Sequence, residues 1–253
     1  MPTVTVNQDR IFYTISAGRS PCTLLCIHGS GGDHRHWPER LRNLTKFRVV
    51  ALDLPGHGRS GGFGCTRVTD YADVVEKFVM GLGLTAAVPA GHSLGGAIVQ
   101  SLALRRPSWL KAIVLVGTGA RLRVTPEILD ALQSDYESAV ARICHWSYGP
   151  SATPELIREG RDGLLDTPRE VTFGDYVACN DFDIMAQVPR IKYPALVLSG
   201  SADRLTPPKY GEYLAREMPG ATHRILEDCG HMMAVEKPET FVTVVTEFLD
   251  ALP

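Results

Sequence analysis

The order of apolar and polar positions predicts a chain that alternates between buried strands and amphipathic helices. Short, nearly continuous apolar runs are typical of parallel strands buried on both faces, and they occur at residues 23–27, 49–52, 112–116 and 195–198. Apolar residues at helical spacing indicate helices at residues 37–44, 68–82, 94–105, 209–218 and 238–252. This alternation implies right-handed crossovers and an α/β fold with a doubly wound, mostly parallel sheet.

The edge and the centre of this predicted sheet carry different patterns. Residues 4–6 and 11–15 alternate between apolar and polar around a polar turn, which predicts an N-terminal antiparallel hairpin. The apolar run at 86–90 predicts a central strand, although it contains Pro89. Because proline has no backbone N–H, we expect this strand to lose one hydrogen bond of its ladder.

One long segment interrupts the alternation. Residues 119–190 contain no buried-strand pattern but several amphipathic helical stretches, such as 126–143. Neither a repeat nor a charged or proline-rich linker separates this segment from its surroundings. We therefore predict an α/β core at residues 1–118 and 191–253, with a helical cap inserted at residues 119–190.

Composition and charge narrow the range of partners. The 253 residues carry 26 basic and 28 acidic side chains, a net charge of −2, without a basic stripe. We therefore expect neither a nucleic-acid nor a membrane partner, and the oligomeric state stays open. The N-terminal residues lack the pattern of a signal peptide, so we expect a cytoplasmic location. Neither a dinucleotide fingerprint nor metal-ligand spacing is present, so we expect no cofactor and no metal.

The strongest chemical signal is the segment Gly91-His92-Ser93-Leu94-Gly95. It follows the apolar run at 86–90 and opens the predicted helix at 94–105. On a tight turn between strand and helix, a serine projects its hydroxyl above the sheet, and the residues two before and two after it must be nearly free of side chains. Ser93 is therefore the predicted nucleophile.

Three further segments follow predicted strands in the order typical of one superfamily. They are residues 28–32 (HGSGG), residues 53–60 (DLPGHGRS) and the pair of loops at 199–207 (SGSADRLTP) and 229–231 (CGH). Together with the serine turn, they make the chain resemble the α/β-hydrolase superfamily, in its serine esterase and lactonase branch. The resemblance covers nearly the whole chain apart from the cap and implies the α/β-hydrolase fold.

The predicted catalytic triad is Ser93, Asp203 and His231. A serine needs an adjacent base, and a histidine suits that role near neutral pH. His231 follows the strand-like run at 222–226 by a short loop. Asp203 follows the strand at 195–198, so both loops are expected at the carboxyl edge of the sheet. The chain order serine, aspartate, histidine is the one expected for this fold.

Other polar residues receive structural interpretations. Asp53 belongs to a turn rich in glycine and proline, and we interpret it as structural. His28 and His92 are expected to make local contacts within their loops. The remaining histidines have no partner motif and are interpreted as surface or cap residues: His34, His36, His57, His145 and His223.

The oxyanion of a tetrahedral intermediate needs N–H donors. Leu94, the residue after the nucleophile, supplies one backbone N–H. The resemblance implies that the backbone N–H of Ser30 supplies the other.

A serine nucleophile favours acyl transfer, whereas the dehalogenases and epoxide hydrolases of the resembled superfamily use an aspartate. We therefore expect a hydrolase that cleaves a small carboxylic ester or lactone through an acyl-enzyme. Two alternatives stay open: a C–C bond hydrolase or lyase on the same triad, and a ligand receptor with slow turnover. Aromatic residues of the cap either line a substrate pocket or pack the cap itself: Trp146, Tyr148, Phe173, Tyr176 and Phe182.

Overall fold

The computed structural model describes residues 2–252. Within these residues, eight strands form one sheet. They are β1 (Thr3–Val6), β2 (Asp9–Ile15), β3 (Thr23–Ile27), β4 (Arg48–Leu52), β5 (Ala87–His92), β6 (Ile113–Val116), β7 (Ala195–Gly200) and β8 (Ala221–Leu226). The sheet order is β1-β2-β4-β3-β5-β6-β7-β8. β1 and β2 form the antiparallel hairpin, β2 joins β4 antiparallel, and every later pairing is parallel, which confirms the predicted fold class.

Helices cover both faces of the sheet. They are α1 (Glu39–Arg42), α2 (Val68–Gly81), α3 (Leu94–Arg105), α4 (Pro126–Ser134), α5 (Tyr136–Ser147), α6 (Pro154–Asp166), α7 (Arg169–Asp181), α8 (Pro208–Glu217), α9 (Met233–Glu236) and α10 (Pro238–Asp250). Short 3-10 helices lie at His34–His36 and Met185–Arg190. Among residues 2–252, no helix is long and apolar enough to cross a membrane.

The alternation of side chains along the buried strands divides the apolar core into two layers. In β3, Leu25 and Ile27 pack on the side covered by α2, α3 and α8, whereas Leu24 and Cys26 pack on the side covered by α1 and α10. Successive residues of a strand point to opposite faces, so a run that is apolar at every position supplies both layers at once.

Pro89 lies inside β5 and pairs in register with Leu25 of β3. On the other side of β5, Ala87 donates its N–H to Trp109 and the ladder with β6 resumes only at Ala90. Because alternate residues of a strand bond to the same neighbour, the missing N–H of Pro89 falls in this gap. The strand therefore accommodates proline at the cost of the one predicted hydrogen bond, and it extends two residues beyond the predicted end, to His92.

Four helices, α4 to α7, lie between β6 and β7 in the described chain. We call residues 119–190 the cap segment. The helical stretch predicted at 126–143 is divided in two at Asp135, whose carboxylate accepts the N–H of Ser138 at 3.2 Å and so caps α5. The helices share a small apolar core of their own, which includes Leu132 and Val140.

Candidate active site

Ser93 stands at a strained turn between β5 and α3, with φ 53° and ψ −114°. The glycines on either side are required by close backbone contacts. A Cβ on Gly91 would lie 2.1 Å from the carbonyl oxygen of Gly95, and a Cβ on Gly95 would lie 2.2 Å from the carbonyl oxygen of Ile27. Any larger residue would therefore displace the turn, which explains the glycine spacing in the sequence.

His231 and Asp203 form a buried pair beside this turn. Nδ1 of His231 lies 2.8 Å from Oδ2 of Asp203. The other carboxylate oxygen, Oδ1, accepts the backbone N–H groups of Leu205 and Thr206, each at 2.9 Å, and the Thr206 hydroxyl donates to Oδ2 at 2.8 Å. Burial by itself would raise the pKa of Asp203, but the charge of His231 and the hydrogen bonds from His231 and Thr206 outweigh burial and hold that pKa below its ordinary value.

The loop of His231 is tied to the serine turn through the residue that precedes Ser93. Nε2 of His92 donates to the backbone carbonyl of His231 at 3.0 Å, and the two imidazole rings lie 4.6 Å apart. A Cβ on Gly117 would lie 3.2 Å from Nδ1 of His231, so a larger residue at position 117 would crowd the imidazole ring. The structure thus brings the loops of Ser93 and His231 together, and both residues line the same cavity.

Two backbone N–H groups near Ser93 have no acceptor within residues 2–252. The Leu94 N–H belongs to the first residue of α3, where a helix leaves its donors unpaired. The Ser30 N–H belongs to the loop at 28–32, which comes so close to the turn that a Cβ on Gly29 would lie 3.1 Å from the Cβ of Ser93. These are the two predicted oxyanion donors: one begins α3 directly after Ser93, and the other lies in the loop at 28–32 that approaches Ser93.

A cavity of about 570 Å³ opens above these groups. Ser30, Ser93 and His231 line its floor, and the cap segment supplies most of its walls. Of the predicted pocket aromatics, three belong to the wall: Trp146, Tyr148 and Tyr176.

Two of the cap aromatics lie elsewhere. Phe173 is partly buried against the core that α4, α5 and α6 share, and Phe182 joins the main core beside the sheet. Of the two alternatives for Phe173, its surroundings favour packing within the cap segment, whereas Tyr176 of the same helix also lines the cavity.

The interpretation of His34 and His57 as surface or cap residues was wrong. Both are buried in the core beside carboxylates from distant parts of the chain. Nδ1 of His34 lies 2.8 Å from Asp53, and Nε2 of His57 lies 2.9 Å from Asp175 of α7. Burial lowers the pKa of His57, but the charge and hydrogen bond of Asp175 outweigh burial and raise it above its ordinary value. His57 is therefore buried in contact with Asp175, and this contact favours its protonated form.

His28, by contrast, is a buried neutral imidazole. Its Nε2 accepts the backbone N–H of Leu54 at 2.9 Å, so its Nδ1 carries the proton and donates to the carbonyl of Gly29 at 2.8 Å. Burial lowers the pKa of His28 to about 4. Burial also lowers the pKa of His36 to about 4 and that of His92 well below its ordinary value.

Within residues 2–252, one group of three metal-ligating side chains lies close together: Asp33, His34 and Asp53, with ligand atoms within 4.8 Å of one another. Their lone pairs are already engaged by protein donors. Asp53 accepts the N–H of His34 at 2.7 Å and that of Arg59 at 2.9 Å, and Asp33 accepts the guanidinium of Arg35. We assign these carboxylates to loop structure, in agreement with the structural interpretation of Asp53.

A protein-family profile described as "Alpha/beta hydrolase family" matches residues 24–244 of the chain. Among solved structures, a thermophilic esterase is 34% identical, with a TM-score of 0.86, and the alignment covers 98% of this chain and 96% of that one. The enol-lactonase of Burkholderia xenovorans LB400 is 26% identical, with a TM-score of 0.90, over 98% of this chain and 100% of that one.

A third relative is a 2-hydroxy-6-oxononadienedioate/2-hydroxy-6-oxononatrienedioate hydrolase of Burkholderia vietnamiensis, which is 30% identical over 96% of this chain and 92% of its own length. All three relatives extend over nearly the whole chain. The sheet order, the serine turn and these matches lead to one conclusion: the chain belongs to the α/β-hydrolase family, and the three relatives named above are hydrolases by their names.

Proposed function

We propose that this protein is a serine hydrolase that cleaves a small carboxylic ester or lactone through an acyl-enzyme. The observation that carries the proposal is the pairing of His231 with Asp203 at 2.8 Å, beside a cavity that both His231 and Ser93 line. A histidine that is oriented by a carboxylate and faces a serine is the arrangement that activates a hydroxyl for attack on a carbonyl.

In the proposed reaction, His231 donates its Nδ1–H to Asp203, which leaves Nε2 free to accept the hydroxyl proton of Ser93. The Ser93 oxygen forms a bond with the carbonyl carbon, and the carbonyl electron pair moves to oxygen. The N–H groups of Ser30 and Leu94 stabilise that oxyanion. Its collapse expels the alcohol, which takes the proton from His231. Water then attacks the acyl-enzyme while His231 accepts its proton, and the acid leaves as the Ser93 oxygen takes that proton back.

The cavity supports a substrate of modest size. A volume of about 570 Å³ lies within the range usual for small-molecule sites. The wall from the cap segment carries many apolar side chains, including Val124, Ile128, Ile143 and Leu164. An apolar acyl or alcohol group therefore suits the region away from the catalytic floor.

C–C bond hydrolysis is the second candidate function, because the Burkholderia vietnamiensis relative acts on a 2-hydroxy-6-oxo dienedioate by its name. In that case the same serine and histidine would act on a ketone whose neighbouring carbon leaves as a stabilised carbanion. The esterase and lactonase relatives act, by their names, on esters and lactones, and these substrates need no such electron sink.

The experiment is a comparison of three substrate classes with the purified protein and its Ser93→Ala variant. The panel contains p-nitrophenyl esters of increasing acyl length, aliphatic lactones, and vinylogous β-diketones. We expect ester or lactone turnover that Ser93→Ala abolishes. Activity on the diketones alone would favour the C–C hydrolase, and turnover below about one per minute on all three would favour the ligand receptor, since the median enzyme turns over about ten times per second.

A further inference from the structure

The loop that carries the Ser30 N–H is bound to the cap segment at the next residue, Gly31. The N–H of Gly31 donates to Oδ2 of Asp175 at 2.8 Å, and its carbonyl accepts the hydroxyl of Thr167 at 2.8 Å. Both hydrogen bonds are buried. Both polar groups of this one residue are thus held by side chains more than 130 residues away in the chain, since the separations are 144 and 136.

The two hydrogen bonds that Asp175 and Thr167 make to Gly31, which we call the clamp, are possible only because residue 31 is glycine. Its φ is +64°, in the left-handed region, and a Cβ there would lie 2.1 Å from Cδ1 of Leu164 and 3.2 Å from the Thr172 hydroxyl. The cap segment is therefore packed directly on the backbone of the loop. The loop itself has glycine at three of its five positions, so it has many accessible conformations, and hydrogen bonds must select the one observed.

Asp175 and Thr167, the two residues that hold Gly31, are themselves bound to other parts of the fold. Besides Gly31, the carboxylate of Asp175 accepts Nε2 of His57 at 2.9 Å and the hydroxyl of Tyr71. On the other side, the Tyr136 hydroxyl lies 3.0 Å from the Thr172 hydroxyl and 3.2 Å from the Thr167 carbonyl, which binds α5 to the segment that carries Thr167. The clamp therefore connects the core, the loop and the cap segment in one buried network.

We propose that Asp175 and Thr167 of the cap segment are positioning residues for the oxyanion hole: by fixing the two peptide groups that follow Ser30, they restrain the backbone of Ser30 and so the direction of its N–H. The inference rests on the proposed function, because it assigns to Ser30 the role of oxyanion donor. Neither side chain reaches the reacting atoms. Their effect is expected in the transition state, where a displaced donor loses its hydrogen bond to the oxyanion, and not in substrate binding.

The test uses the matched pair Thr167→Val and Thr167→Ser. Valine keeps the shape of threonine but cannot donate to the Gly31 carbonyl, whereas serine keeps the hydroxyl. We expect Thr167→Val to lower kcat about 10- to 100-fold. This loss does not exceed the loss expected when an oxyanion donor is removed altogether. KM should stay within about twofold of wild type. Thr167→Ser should restore most of kcat. Asp175→Asn should lower kcat in the same way.

An inhibitor separates positioning from general damage. An aryl trifluoromethyl ketone forms a bond between its carbonyl carbon and the Ser93 oxygen, and the resulting oxyanion occupies the hole while His231 takes the proton. Its affinity should fall in Thr167→Val by the same factor as kcat. All rates are expressed per serine titrated with a fluorophosphonate, so that unfolded protein does not enter the comparison. Thr153→Val, which removes the N-cap hydroxyl of α6 at an exposed site, is the control and should keep wild-type kcat.

The outcomes are distinct. Wild-type kcat and inhibitor affinity in both Thr167→Val and Asp175→Asn would overturn the inference, and so would a loss confined to KM. If wild-type Ser93 resists the fluorophosphonate and Ser93→Ala keeps its activity, the proposed function fails instead, and the clamp has no oxyanion donor to position.

Discussion

Oδ2 of Asp203 lies 2.8 Å from Nδ1 of His231, although 28 residues separate the two in the chain. Asp203 follows β7 and His231 follows β8, and these strands are parallel neighbours in the sheet. Two loops that leave adjacent parallel strands emerge at the same edge, which is why an acid and a histidine from different loops can meet there.

Asp203 should be far more sensitive to loss of charge than Asp228, which stands nearer to His231 in the chain. Asp228 is exposed, with φ 58°, and its backbone N–H donates to the Ser201 hydroxyl. We expect Asp203→Asn to lower kcat by up to ~10⁴-fold, as in the serine protease template, and Asp228→Asn to lower it less than about tenfold. Steady-state kinetics at matched folded fraction provide the comparison. A larger loss in Asp228→Asn would reverse the assignment of the acid.

Gly95→Ala should destabilise the protein strongly, because its Cβ would lie 2.2 Å from the carbonyl oxygen of Ile27. The backbone cannot move aside as easily as a flexible side chain, so we expect a loss of about 1–3 kcal/mol or more in the free energy of unfolding. Gly163→Ala is the matched control. Gly163 lies inside α6 with its nearest outside atom at 3.9 Å, so alanine there should stabilise by about 0.5–1 kcal/mol. Urea denaturation of both variants checks the opposite signs.

Acid should destabilise the protein through His28. Its folded pKa of about 4 lies below the unfolded value of about 6.5, so between these values the unfolded chain binds a proton that the folded chain excludes. The free energy of unfolding therefore falls as the pH drops through this window, by up to about 1.4 kcal/mol per pH unit for this group. His57, whose pKa is raised, acts in the opposite direction: its stabilising contribution is present within this window and is lost as the pH rises above it.

Urea denaturation of wild type and His28→Gln from pH 7 to pH 4.5 tests this assignment. The variant lacks the titrating group, so its free energy of unfolding should depend less steeply on pH. Equal slopes in the two proteins would mean that His28 is not the origin of the acid sensitivity.

Local patterns were sufficient for the parts of the fold that depend on contiguous residues. Helix α3 was predicted with both its ends, because the serine turn defines its start and the apolar spacing its length. The pairing of Asp203 with His231 followed from the order of strands and loops. In each case the information lies within a few residues of the element concerned.

The remaining features depend on contacts between distant residues. His57 and Asp175 are 118 residues apart, and neither has a sequence neighbour that indicates a buried ion pair. Phe173 and Tyr176 both belong to α7, and helical spacing by itself does not distinguish the face toward the cavity from the face toward the other helices. The only local signal for the clamp on Gly31 was the glycine-rich loop itself, which gave no indication of its partners in the cap segment.

Covalent labelling shows directly whether Ser93 is the nucleophile. The protein is treated with a fluorophosphonate, and in parallel with a p-nitrophenyl ester followed by rapid acid quench, and the modified peptide is identified by mass spectrometry. We expect the fluorophosphonate to add one phosphonyl group and the ester to add one acyl group to Ser93, and we expect Ser93→Ala to take up neither. An adduct on another residue, or undiminished labelling of Ser93→Ala, would contradict it.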